Sequence, residues 1–121
     1  MKNILVQDTD KDVLEVLTLA LEHEGYHVLA TIAYTNLLKQ IDQFRPHVVM
    51  LDYKLTGEES IAAYKLIRDK YPYLPVLAIS CNSNIHIEYS SAGFDGYMEK
   101  TFDLDNMYAI LRKHMPKQDS A

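Results

Sequence analysis

The tightest constraint on this chain is the run Pro46-His47-Val48-Val49-Met50-Leu51-Asp52. The proline bars a helix from running into it, because its ring disfavours helical geometry in the preceding residue and it has no N–H to donate. Four consecutive apolar residues, two of them β-branched, then read as a strand buried on both faces, as at the centre of a parallel sheet. The run ends on a carboxylate. Ligands of open α/β sheets gather outside the carboxyl ends of the strands, so Asp52 stands where chemistry is placed. A lone strand-end Asp is more often a turn cap. Its weight therefore depends on what the other strands end on.

The chain supplies four more strands, alternating with helical patterns. Asn3–Gln7 is a first apolar run, opening into the acidic turn Asp8-Thr9-Asp10-Lys11-Asp12, which suits a helix N-terminus. Val13, Val16, Leu17, Ala20 and Leu21 then form a helical face, and Gly25 supplies the stop. Tyr26–Ile32 reads as the second strand, and Leu37, Leu38, Ile41 and Phe44 carry a helix that closes before Pro46. After the central strand and a Thr56-Gly57 turn comes a third helix, with Ile61, Tyr64 and either Leu66 or Ile67 inward, ending before Pro72. Leu74–Ile79 is a fourth strand, ending on Ser80. Asn82–Ala92 is a poor helix, rich in Asn, Ser and β-branched isoleucine, and is expected to be the least stable part of the fold. Tyr97-Met98 is a short fifth strand, and Leu104, Met107, Ile110 and Leu111 mark the last helix. The expectation is one α/β domain over residues 1–121, with 116–121 frayed. Its five-stranded parallel sheet carries helices on both faces, joined by right-handed crossovers.

Composition narrows the functions. A net charge of −5 gives no basic patch for nucleic acid or for an anionic membrane surface. No apolar run is long enough to span a bilayer, and no signal-peptide pattern opens the sequence. The single cysteine, Cys81, cannot form an internal disulfide, which fits a reducing cytoplasm. Of the five histidines only His23 and His27 are close in sequence, with Gly25 between them, so they read as scattered surface residues rather than a metal set.

The strand ends share one chemical theme: Asp8, Asp52, Ser80 and Lys100. Asp8 and Asp52 can hold Mg²⁺, a hard cation that favours carboxylates. Lys100 can neutralise a phosphoryl group and Ser80 can donate to its oxygens. A carboxylate is itself a legitimate covalent phosphoryl acceptor.

These residues resemble the receiver domain of two-component response regulators, a (βα)5 flavodoxin-like fold, and the resemblance covers nearly the whole chain. It rests on Ile4-Leu5-Val6-Gln7-Asp8, Val48-Val49-Met50-Leu51-Asp52, Leu74-Pro75-Val76 through Ser80, and Ala92-Gly93 through Lys100-Thr101-Phe102-Asp103-Leu104. The resemblance implies Asp52 as phosphoacceptor, Lys100 as the phosphoryl-binding lysine, Ser80 as switch hydroxyl and Tyr97 as switch aromatic. It also implies a backbone carbonyl from Lys54 as a metal ligand beside Asp8 and Asp52, and a phosphohistidine donor on a sensor histidine kinase or phosphotransfer protein. Such a domain catalyses only its own phosphorylation and dephosphorylation. Its output passes to a separate protein, or the chain is a fragment of a longer regulator; a homodimer stays open.

Several positions depart from the family pattern. Two adjacent acids usually follow the first strand. Counting back from Gly25 without a gap puts Asp8 at the first and Thr9 at the second. Making them Gln7 and Asp8 needs an extra helix residue and is rejected. Mg²⁺ is therefore expected to bind weakly, with Thr9 or Asp10 as the remaining contributor. Thr56 and Ser60 replace the usual Pro and Gly after the acceptor, and the segment from Ser80 to Lys100 is about two residues short. Thr101 stands for the usual Pro, so the Lys100–Thr101 peptide is expected trans, cis costing about 2.5–4 kcal/mol without proline. Three competing readings remain. One is a degenerate receiver acting as a constitutive binding module. Another is a haloacid-dehalogenase-type phosphatase using Asp8 in Asp8-x-Asp10. The last is a flavodoxin-like FMN binder, disfavoured by the acidic first loop.

Overall fold

The computed structural model describes residues 2–54, 56–81, 85–100 and 103–116. Each apolar run becomes a strand of four or five residues: β1 Asn3–Gln7, β2 His27–Thr31, β3 Val48–Asp52, β4 Val76–Ser80 and β5 Gly96–Glu99. All pairings are parallel, in the order β2-β1-β3-β4-β5. The helices are α1 Lys11–His23, α2 Leu37–Phe44, α3 Glu58–Lys70, α4 Ile85–Ala92 and α5 Leu104–His114. This is the expected (βα)5 flavodoxin-like architecture, and its strand order reverses direction between β1 and β3.

Strand periodicity divides the core into two halves. Ile4, Val6, Val48 and Met50 point to one face and pack under α1 and α5, with Leu14, Leu17, Leu21, Met107 and Leu111. Leu5, Val49 and Leu51 point to the other and pack under α2, α3 and α4, with Leu37, Ile41, Ala63, Ile67 and Ile85. Val48 through Leu51 are all fully buried, which is why β3 reads as an unbroken apolar run rather than an alternating one.

Local chemistry sets the helix ends. The Asp10 carboxylate accepts the Asp12 and Val13 N–H groups at 2.9 and 3.4 Å, capping α1. Gly25, at φ +95°, takes the left-handed turn that ends it. The helical faces differ in detail from expectation. In α1, Leu14 is buried and Val16 is 44% exposed, because the seam runs through Leu14, Leu17 and Leu21. In α3 the inward residue is Ile67, with Leu66 61% exposed. The Lys100–Thr101 peptide, residues 82–84 of the poor fourth helix and tail residues 117–121 lie outside the described residues.

Candidate functional site

The carboxyl ends of β1, β3 and β4, with the residue after β5, converge on one pocket. Asp8, Thr9, Asp10, Asp52, Lys54, Ser80, Cys81 and Lys100 all line it. Asp8 and Asp52 are almost wholly enclosed, at 0% and 3% exposed, and Ser80 at 1%. Lys100 reaches both acids, its Nζ lying 2.8 Å from Asp52 Oδ1 and 2.6 Å from Asp8 Oδ2. The approach to Asp8 is off-axis, so Asp8 Oδ2 stays without a directed hydrogen bond. Among the described residues it is one of few buried side-chain oxygens in that condition. Asp8 Oδ1, by contrast, accepts the Asp10 N–H at 2.9 Å.

Burial works against charge on Lys100, but the Asp52 and Asp8 carboxylates outweigh it and hold its pKa above the ordinary value. The ammonium therefore persists, set between two buried acids.

The remaining expected residues fall into two groups. Thr9 donates its hydroxyl to Asp52 Oδ2 at 3.1 Å, which places it on the acid pair itself. Asp10 lines the pocket, and its Oδ1 caps α1. The Lys54 carbonyl accepts the Gly57 N–H at 2.9 Å and keeps its second lone pair. Tyr97 stands apart from the pocket lining, half-buried on β5, its ring 4.8 Å from that of Tyr89 on α4.

Two residues at the site were not anticipated. Gln7 is fully buried and its Oε1 accepts the Asp52 N–H at 3.1 Å. Tyr34, from the loop after β2, donates its hydroxyl to the Asp52 carbonyl at 2.5 Å. Gln7 carried a signal, a polar residue closing an apolar strand. Tyr34 lies in a loop with no periodicity and carried none.

An all-oxygen set of two carboxylates, a hydroxyl and a carbonyl suits Mg²⁺, a hard cation. The acids are few: among the described residues no group of three or more His, Cys, Asp or Glu could hold a metal.

The family model of the response regulator receiver domain matches residues 4–112. The DNA-binding transcriptional regulator NtrC of Proteus hauseri is 28% identical over 114 residues, 92% of this chain and 24% of that protein. The response regulator MprA of Mycobacterium avium is 28% identical over 97% of this chain and 54% of its own length. The chain thus spans about a quarter of its NtrC-type relative. Among solved structures, response regulator protein TrrA of Thermotoga maritima, in complex with Mg²⁺ and BeF, superposes with a TM-score of 0.84 at 26% identity. That likeness covers 95% of this chain and 100% of TrrA. With a family match running from residue 4 to residue 112, the chain belongs to the response regulator receiver domain family of two-component phosphorelay signalling.

Proposed function

We propose that Asp52 accepts a phosphoryl group from a phosphohistidine on a sensor histidine kinase or phosphotransfer protein. The observation that carries this is the double contact of Lys100, at 2.6 Å from Asp8 and 2.8 Å from Asp52. In this reading an Asp52 carboxylate oxygen attacks phosphorus and forms the P–O bond. The P–N bond of the donor breaks, and its electron pair stays on the departing imidazole. Lys100 follows the negative charge onto the phosphoryl oxygens, a move open to a flexible ammonium with three rotatable donors. Ser80, enclosed beside it, supplies the hydroxyl that meets the new group, and Tyr97 on the neighbouring strand carries the change outward.

Mg²⁺ would be held by Asp8, Asp52 and the Lys54 carbonyl, with the Thr9 hydroxyl where the family usually has an acid. When bound, it would neutralise charge on the transferring group. Asp10 is the alternative to Thr9, through the oxygen that does not cap α1. TrrA, crystallised with Mg²⁺ and BeF, supports this reading by likeness.

Residues 1–121 act as one receiver unit that modifies only itself and regulates a downstream protein. No helix among the described residues is long and apolar enough to cross a membrane. An exposed free thiol at Cys81 supports a reducing, cytoplasmic setting. The test is intact-mass analysis after acetyl phosphate and Mg²⁺. The wild type should gain one phosphoryl mass and Asp52→Asn none. A wild type that stays unmodified would overturn the reading in favour of a constitutive binding module.

A further inference from the structure

The peptide groups of Asp52 are held from outside its own strand. Backbone pairing between β1 and β3 stops at Gln7 opposite Leu51, one residue short of Asp52. Beyond it the Gln7 side chain takes over: its Oε1 accepts the Asp52 N–H at 3.1 Å while its Nε2 donates to the Ile32 carbonyl at 2.9 Å. The Asp52 carbonyl points to the same side and receives the Tyr34 hydroxyl. On the other edge of β3 the Tyr53 N–H donates to the Ile79 carbonyl at 2.7 Å. The backbone at Asp52 is thus bonded on both sides, and on the β1 side by side chains alone.

A buried polar amide such as Gln7 is costly unless its hydrogen bonds are made, and here both of its ends are used. Tyr34 is the donor on the carbonyl side, its hydroxyl meeting the Asp52 carbonyl at 2.5 Å.

We propose that Tyr34, together with Gln7, is a positioning residue for phosphoryl acceptance, locking the Asp52 peptide so that its carboxylate stays aimed between Lys100 and Thr9 while its charge changes. The inference rests on Asp52 being the acceptor. Its physical basis is geometric: a misplacement of about 1 Å at a reacting atom can cost about 10²-fold in rate. Loss of one of several bonds on the peptide should cost less. Tyr34→Phe keeps the ring in place and removes only the donor.

The experiment is the time course of acetyl phosphate labelling, read by intact mass for wild type, Tyr34→Phe, Gln7→Leu and Asp52→Asn, with Mg²⁺ present and over a range of donor concentrations. Tyr34→Phe is expected to label about tenfold more slowly at saturating donor, with the half-saturating donor concentration unchanged. Gln7→Leu should show the same split. A residue that only stabilised the fold would lower the thermal midpoint and leave the labelling rate of the folded protein where it was. Wild-type labelling rates in Tyr34→Phe, with Asp52→Asn silent, would overturn the inference and leave the acceptor reading intact. If Gln7→Leu does not fold, Tyr34→Phe decides alone. A wild type that does not label at all would overturn both.

Discussion

The two ends of the sheet each carry a buried or half-buried cation facing acids, and they use it in opposite ways. At the amino-terminal end Arg68 uses all three of its guanidinium nitrogens. Nη1 reaches the Tyr71, Pro72 and Leu74 carbonyls at 3.3, 2.9 and 2.8 Å, and Nη2 reaches Asp95 at 2.5 Å. Asp95 in turn accepts the Val76 N–H at 2.8 Å. At the carboxyl end Lys100 is shared between two acids, and one of their oxygens lacks a directed bond. A planar guanidinium with its donors used makes a fixed joint between loops, whereas an ammonium on a flexible stem makes a movable charge. A movable charge between two enclosed acids is what distinguishes the carboxyl end.

Removing the two cations should separate these roles. Lys100→Met leaves two enclosed carboxylates facing one another. It should cost about 3–5 kcal/mol of stability near neutral pH. Denaturant titrations of wild type and variant check this, and an unchanged stability would mean that the ammonium does not hold the two acids together. Arg68→Ala should cost less, about 2 kcal/mol after allowing for solvent at Asp95. It should leave the labelling rate of folded protein unchanged. A large fall in that rate would erase the distinction between the two ends.

A smaller effect sharpens the comparison inside the acid pocket. Thr9→Asp restores a third acid beside Asp52 and should tighten Mg²⁺ by about tenfold, since affinity rises with ligand charge. Calorimetric Mg²⁺ titration of both proteins reads this directly. Equal affinities would place Thr9 away from the metal, despite its bond to Asp52.

The smallest effect lies at the amino-terminal end. His47 Nδ1 accepts the Asn3 N–H at 2.9 Å, which requires that nitrogen to be unprotonated. Burial, then the charge of Lys2, lowers its pKa below the ordinary 6.5. A histidine with a lowered folded pKa contributes stability that is present above the unfolded value and lost as pH falls from there toward the folded one. Wild type should therefore lose stability relative to His47→Asn as pH falls below about 6.5. A constant difference across that range would contradict the assignment.

Much of this architecture was legible because strand burial and helix periodicity leave direct marks. The unbroken Val48–Leu51 run and the stop at Gly25 placed the central strand and the first helix, and strand-end chemistry picked out Asp8, Asp52, Ser80 and Lys100. Less legible was which of two neighbouring apolar residues faces inward. Leu66 and Ile67 differ by 100° around a helix axis, and a helix whose other buried positions are the small residues Ser60 and Ala63 does not separate them. The bonds to the Asp52 peptide were invisible in the sequence. Gln7 and Tyr34 reach it across 45 and 18 residues, and such tertiary contacts leave no local pattern.

The most direct test of the account locates the phosphoryl group. Labelled protein is reduced with borohydride, which converts an acyl phosphate on aspartate to homoserine, and is then mapped by peptide mass. Homoserine at position 52 alone is the result the account predicts. Homoserine at position 8 would contradict it and make Asp8 the nucleophile of a phosphatase-like site instead.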